Sequence, residues 1–263
     1  MDLFASPIET STFARDRFRV MCWNIANPSV ERAAQQAAWL ISQQVQFMVL
    51  TESKDSKGCA YLSRYFNANG FYVLSPSYGK GEYGVMIVSS LPMRSCELMN
   101  NLEFLPSRMI SVTVTLDGSD LEIIGTYIPS RDVSIEKIER KRNYLTQVQQ
   151  ALESWVPIAP RIFCGDFNVL EPQHIPHYPI FKNWEYDFYS SLETFKLVDA
   201  YRALHPDTVE HSWVGRFGDG YRYDHCFISS DLLPRLKLCT YDHQPRLARL
   251  SDHSSLILDL SMA

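Results

Sequence analysis

Two short segments place reactive polar groups beside strongly apolar runs. Gly165-Asp166-Phe167-Asn168 follows Ile162-Phe163-Cys164, and Ser251-Asp252-His253 precedes Leu256-Ile257-Leu258. Carboxylates, amides and imidazoles at the ends of buried strands are costly to desolvate unless they are paired or bind a cation. Other apolar runs end in the same way. Asn24 closes Val20-Met21-Cys22-Trp23, Glu52 closes Val49-Leu50-Thr51, Tyr127 stands two residues before Pro129, and Asp224 follows Tyr221-Arg222-Tyr223. Loops at strand ends are aimed by a rigid scaffold, so ligand sites in α/β folds gather there. Brought into one crevice, these residues would form an oxygen-rich site with a single imidazole. That inventory suits Mg²⁺ or Mn²⁺, whereas zinc would ask for more His or Cys. In-line attack on a phosphodiester needs a positioned water, neutralised phosphoryl charge and help for the leaving oxyanion, and such a set supplies all three.

Taken singly, each piece has a plainer explanation. Gly-Asp-x-Asn is commonly a turn in which Asp and Asn bond their own backbone, and an Asp-His pair is commonly a surface loop. The joint occurrence after successive apolar strands is what favours chemistry. His174 and His177 form a His-x-x-His in an irregular stretch without nearby carboxylates, and an ordinary loop is expected there. Walker A, nucleophile-elbow and dinucleotide-binding glycine motifs are absent from the sequence.

The elements needed to hold these residues are legible as apolar runs at 18–25, 45–51, 84–90, 109–116, 121–128, 161–165, 223–229 and 255–260. Ile110, Val112, Val114 and Leu116 alternate with Ser111, Thr113 and Thr115, the period of a strand. Asp117-Gly118 then predicts a hairpin. A helix is expected over 28–44, with Asn27 as N-cap and Pro28 at its first position, and a second over 134–153. Residues 169–195 read as loop and short helix. Strands mixed with helices and at least one hairpin predict a mixed α/β sandwich rather than an all-parallel, doubly wound sheet.

A chain of 263 residues with 46% hydrophobic content can bury a large core, and no linker or low-complexity tract divides it. One domain over 18–263 is expected, preceded by an N-terminal tail over 1–17. The formal charge of −5 rules out a uniformly basic surface, so nucleic-acid binding would need a local basic patch. Six scattered cysteines without a Cys-x-x-Cys pair read as reduced thiols of a cytoplasmic protein. No leader-like or bilayer-spanning stretch is evident, and neither a membrane nor a protein partner is implied.

The ordered set Trp23-Asn24, Glu52, Tyr127-x-Pro129, Gly165-Asp166-Phe167-Asn168, Arg222-Tyr223-Asp224 and Ser251-Asp252-His253 resembles the endonuclease/exonuclease/phosphatase superfamily. Tyr127-x-Pro129 and Leu197-Val198-Asp199-Ala200-Tyr201-Arg202 are similar to its exonuclease III and apurinic/apyrimidinic (AP) endonuclease branch. The resemblance spans roughly residues 18–260. It implies a four-layer α/β/β/α sandwich of two mixed, largely antiparallel sheets flanked by helices. It also implies Mg²⁺-dependent hydrolysis of phosphodiester bonds, with DNA as partner, by AP endonuclease or 3′-5′ exonuclease action. By position, Glu52 would be the principal metal ligand, with Asp252 assisting. Asp166 would orient or deprotonate the attacking water, and Asn168 and Asn24 would hold the scissile phosphate. His253, oriented by Asp224, would bond a phosphoryl oxygen, and Tyr127 would face the phosphate or the leaving oxygen. Arg131, Lys137 and Lys141 would meet substrate phosphates, although a solvated helix face balanced by Glu136 and Glu139 explains the row equally well. Trp213 would line a sugar pocket or sit in the core. Ala26 stands where the branch carries a second Asn or Asp, and Thr51 where it carries Gln. A phosphodiesterase or phosphatase acting on a nucleotide or another small phosphorylated substrate, or a non-catalytic binding module of the same fold, are the alternatives.

Overall fold

The computed structural model describes residues 16–96, 102–155 and 159–262. The chain begins β1 (Arg17–Asn24), α1 (Val30–Ser42), β2 (Phe47–Lys54), α2 (Lys57–Ala68), β3 (Tyr72–Leu74), β4 (Tyr83–Ser89), β5 (Met93–Ser95), β6 (Met109–Leu116) and β7 (Ser119–Tyr127). It continues α3 (Ile135–Ser154), β8 (Arg161–Asp166), α4 (Asn183–Ser191), β9 (Leu197–Asp199) and α5 (Ala200–Leu204). It ends β10 (Trp213–Val214), β11 (Gly220–Tyr221), β12 (Asp224–Ser229), β13 (Leu236–Asp242), α6 (Gln244–Leu247) and β14 (Ser255–Ser261). Of the expected tail, residues 1–15 lie outside the described residues, and Arg17 already belongs to β1.

Two six-stranded sheets form, in the orders β13-β14-β1-β2-β4-β3 and β5-β6-β7-β8-β12-β9. Strand alternation sends neighbouring side chains to opposite faces. In β1, Phe18, Val20 and Cys22 point into the core between the sheets, while Met21 and Trp23 pack with Ala33, Leu40, Leu62 and Phe66 of α1 and α2. In β8, Ile162 and Cys164 join the inter-sheet core, and Phe163 packs outward with Tyr144 and Val148 of α3 and Phe188 of α4. Strands buried on both faces read as continuous apolar runs, which is why these were visible in the sequence. The result is the α/β/β/α sandwich that the resemblance implied.

The β6–β7 hairpin closes through Asp117 (φ 51°) and Gly118 (φ 78°) between the paired Leu116 and Ser119. Two consecutive left-handed residues match the right-handed twist of the strands they join. The start of α1 differs from expectation. Ser29, not Asn27, is the N-cap, and its Oγ accepts from the Arg32 backbone N–H at 3.3 Å. Asn27 sits at φ 36° and donates its own N–H to Glu52 O, so it lacks the extended backbone that a cap needs. Residues 169–195 do contain a short helix, α4. The helix α2 and the strand β13 are additions to the predicted elements. Five of the six free cysteines are buried and Cys96 is half-buried. No helix among the described residues is long and apolar enough to cross a membrane.

Behind β8, a buried ion network ties the chain after the strand to the second sheet. Glu171 accepts from Arg202 (Nε 2.5 Å, Nη2 2.5 Å) and from Arg222 (Nη2 2.7 Å), and Arg222 also reaches Asp199 at 2.7 Å. Burial alone would raise the Glu171 carboxyl, but the two guanidiniums outweigh it and hold it at about 2. A carboxyl depressed in the folded state contributes stability that is complete above its unfolded value of about 4.3. That contribution fades as pH falls toward 2. Glu171→Gln is therefore expected to cost about 3 kcal/mol near neutrality, the equivalent of that depression, by removing one of the two carboxylates that Arg222 bonds. The gap in melting temperature between the two proteins should narrow steadily from pH 5 down to pH 2. A gap independent of pH would show that the charge of Glu171 is not what stabilises the fold.

Candidate active site

Strand direction explains why distant residues meet. β1 runs parallel to β2 and β7 parallel to β8, so Asn24, Glu52, Tyr127 and Asp166 share one end of the sandwich. β12 is antiparallel to β8, which pairs its first residue, Asp224, directly with Asp166. Asp252 and His253 lie just before β14, which is antiparallel to β1. Glycine is required at 165, because a Cβ there would lie 1.8 Å from Thr126 O. Ala26, Asn27, Glu52 and Asn168 adopt left-handed backbone with φ of 49°, 36°, 54° and 50°. Each costs on the order of 1 kcal/mol, and such strain clusters where side chains are aimed for function. The Glu52 turn coincides with a break in β2–β4 register between Leu50 and Ser53, which re-aims its side chain.

The polar groups form one connected network. Asp166, 1% exposed, accepts from Asn24 Nδ2 at 2.9 Å and from the Asn168 N–H at 3.0 Å. His253 Nδ1 bonds Asp224 Oδ2 at 2.7 Å, and its Nε2 lies 3.9 Å from Asp166 Oδ2. Asn24 Oδ1 accepts from the Ala26 N–H, Asn168 Nδ2 donates to Ile128 O, and Tyr127 donates its hydroxyl to Glu52 Oε1 at 2.8 Å. Burial and then the negative charge of Asp224 push the Asp166 carboxyl up to about 8, with the positive charge of His253 opposing the rise. Burial would depress His253, yet Asp224 more than compensates and raises the imidazole to about 10. Burial followed by the Glu52 charge raises the Tyr127 phenol. These environments hold the proton of His253 more tightly and make Asp166 a better proton acceptor than an ordinary carboxylate.

A cavity of about 350 Å³ opens over this network. Glu52, Asp166, Asn168, Asp252 and His253 line one part of it, and the rest includes Arg131, Lys141, Phe181, Trp213, Asp219, Tyr221 and Tyr223. Asn24, Tyr127 and Asp224 are buried partners of the lining residues. Trp213 is half-buried in the wall and donates Nε1–H to Asp252 Oδ2 at 3.0 Å, tying the expected ligand to the expected pocket residue. The basic residues behave differently from one another. Lys141 is buried and donates to Glu185 Oε1 and to Asn168 O, each at 2.6 Å. Arg131 pairs with the same carboxylate. Lys137 is exposed, bonds Asp132 at 2.8 Å, and is not among the residues lining the cavity.

Glu185, Phe181, Tyr221 and Tyr223 were not anticipated. Alternation along Tyr221-Arg222-Tyr223-Asp224 was the available signal, since Arg222 and Asp224 turn inward and the two tyrosines outward. His174 spends its ring nitrogens on Pro176 O and the Arg222 N–H, as befits an ordered loop.

The donor set fits a hard divalent cation. Ligand atoms of Asp166, Asp224 and His253 lie within 4.8 Å of one another, so an acidic and imidazole site able to take a metal exists. Within that trio, however, the Asp224–His253 hydrogen bond already engages Nδ1. Glu52 and Asp252 offer further carboxylate oxygens on the cavity wall, and a cation would offset the burial and the neighbouring negative charge that together lift Asp166.

The endonuclease/exonuclease/phosphatase family model matches residues 21–253. No curated protein matches the sequence. Among solved structures, an AP endonuclease from Archaeoglobus fulgidus superposes with a TM-score of 0.77 at 23% identity, over 92% of this chain and 98% of that one. The 3′-5′ exonuclease NExo from Neisseria meningitidis gives 0.77 at 22% identity, over 92% and 99%. A 3′ phosphatase NExo from Neisseria, bound to product DNA hairpin, gives 0.76 at 21%, over 92% and 99%.

Proposed function

Because the chain belongs to the endonuclease/exonuclease/phosphatase family, we propose that it hydrolyses phosphodiester bonds in DNA with Mg²⁺ or Mn²⁺, at abasic sites or 3′ ends. The observation that carries this reading is the convergence in one cavity of buried Asp166 with His253, whose Nε2 lies 3.9 Å from Asp166 and whose Nδ1 bonds Asp224 at 2.7 Å. The solved structures it resembles are described as an AP endonuclease, a 3′-5′ exonuclease and a 3′ phosphatase, the last with product DNA.

In this reading Asp166 orients the attacking water and takes its proton. A carboxylate lifted to about 8 is matched to that task near neutral pH. Asn24 and Asn168 hold Asp166 through its two oxygens, and Asn168 also lines the cavity that would take the phosphate. His253 directs Nε2–H at a non-bridging oxygen while Asp224 fixes its tautomer at Nδ1. Glu52 and Asp252 would hold the cation, which when bound supplies charge neutralisation at the phosphoryl group. Tyr127 aims Glu52 through its 2.8 Å hydrogen bond.

The deciding experiment incubates the protein with three substrates: a duplex bearing one abasic-site analogue, a 3′-phosphate end, and a nucleotide ester. Each is assayed with Mg²⁺ and with excess chelator. Metal-dependent cleavage of a DNA substrate is expected. Hydrolysis of the small ester alone would discard DNA as substrate, and no turnover of any substrate would overturn the enzyme reading.

A further inference from the structure

Resting on the phosphodiesterase reading above, we infer that the cavity takes the unpaired end of a nucleic-acid strand, holding a base by stacking rather than a duplex by its backbone charges. Beside the acidic groups the cavity wall is largely aromatic: Trp213 hydrogen-bonds Asp252, and Asp219 is the carboxylate among the rings. Tyr221 stacks on Tyr223 with centroids 5.1 Å apart and planes 13° apart, and on Tyr178 at 4.4 Å and 24°. Trp213 tilts against Tyr221 at 5.5 Å, and Phe181 closes the group at 6.3 Å. Phe181, Trp213, Tyr221 and Tyr223 line the cavity and are half-buried rather than sealed in the core. At the tip of the hairpin formed by β10 and β11, Phe217 is 93% exposed. A flat ring column beside a phosphate-cutting site matches the π-face of a base, which any sequence can present.

The cations point the same way. The basic side chains of α3 are already engaged within the protein: Lys137 with Asp132, Arg140 with Glu82, Lys141 with Glu185, and Arg142 over the Trp184 ring. Arg131 shares Glu185 with Lys141. A duplex binder gains affinity by releasing counterions from many phosphates, and a cation buried against a carboxylate, as Lys141 is against Glu185, is withdrawn from such contacts. With Arg216 beside Phe217 as the hairpin's own cation, a footprint of one or two phosphates is expected.

The test compares one labelled DNA strand, single-stranded and in a fully paired blunt duplex, at several salt concentrations with saturating Mg²⁺. The unpaired strand should have the lower KM. The slope of log(kcat/KM) on log salt should be no steeper than about −1.5, as one or two single-strand phosphate contacts give. Tyr221→Leu should raise KM about 10-fold or more on the unpaired strand with kcat little changed, while Tyr221→Phe, which keeps the ring, should retain the parent KM. Preference for the duplex, a slope steeper than about −4, or equal KM for Tyr221→Leu and Tyr221→Phe would each overturn the inference. If neither strand is cut while a small ester is, the DNA reading itself fails, and this inference with it.

Discussion

Asp166→Asn should lower kcat by about 10³-fold or more while the protein remains folded. The substituted amide cannot accept the proton of an attacking water, and this is the loss that counts. Its effect on stability is the sum of opposing terms. One of the two donors now aimed at Asp166, Asn24 Nδ2 or the Asn168 N–H, would face an NH₂ group, at a cost of about 1–2 kcal/mol. Against that, burial and the charges of Asp224 and Glu52 all disfavour the native carboxylate, as its elevation to about 8 records, and an amide escapes them. Near-native melting with a collapse in single-turnover rate at saturating Mg²⁺ is therefore the expected pair of results. A rate within 10-fold of the parent would remove Asp166 from its role as base.

Glu52→Gln is expected to have the second-largest effect, acting on the cation rather than the water. The amide oxygen can still accept the Tyr127 hydroxyl, so the bulged turn at φ 54° keeps its outer anchor while a full negative charge is lost. Activity at low Mg²⁺ should fall by about 10²- to 10³-fold, with partial recovery as Mg²⁺ is raised. Calorimetric titration with Mn²⁺ gives a readout independent of turnover, and weaker binding is expected there too. An unchanged metal requirement together with unchanged Mn²⁺ affinity would exclude Glu52 as a ligand.

The site was largely legible because its residues break a strong local pattern. A polar group where an apolar strand ends is conspicuous, and Asn24, Glu52, Asp166 and Asp224 all have that form. The inter-sheet core was visible for the same reason, since doubly buried strands leave long apolar runs. The α2 helix was harder to see. Its buried Cys59, Leu62 and Phe66 are spaced as a helix requires, but polar and aromatic residues between them dilute the stripe. The position of the α1 cap depended on the backbone at Asn27, which a contact with Glu52 decides. The burial of Lys141 could not be read locally either. Its partner Glu185 lies 44 residues along the chain, and only the folded arrangement of α3 and α4 shows that a seemingly solvated lysine supports the Asn168 carbonyl.

The site is divided between the two sheets. Asn24, Glu52, Asp252 and His253 come from the β1–β2–β14 side, and Tyr127, Asp166, Asn168 and Asp224 from the β7–β8–β12 side. Neither half holds both Asp166 and its imidazole neighbour His253, so their 3.9 Å approach depends on the alignment of the two sheets. A compact state that keeps its strands but lets one sheet slide on the other would retain its backbone spectrum and yet separate Asp166 from His253. Under the proposed function, turnover would register slackening between the layers before any loss of secondary structure does, and a fragment carrying one sheet holds only half of the candidate site.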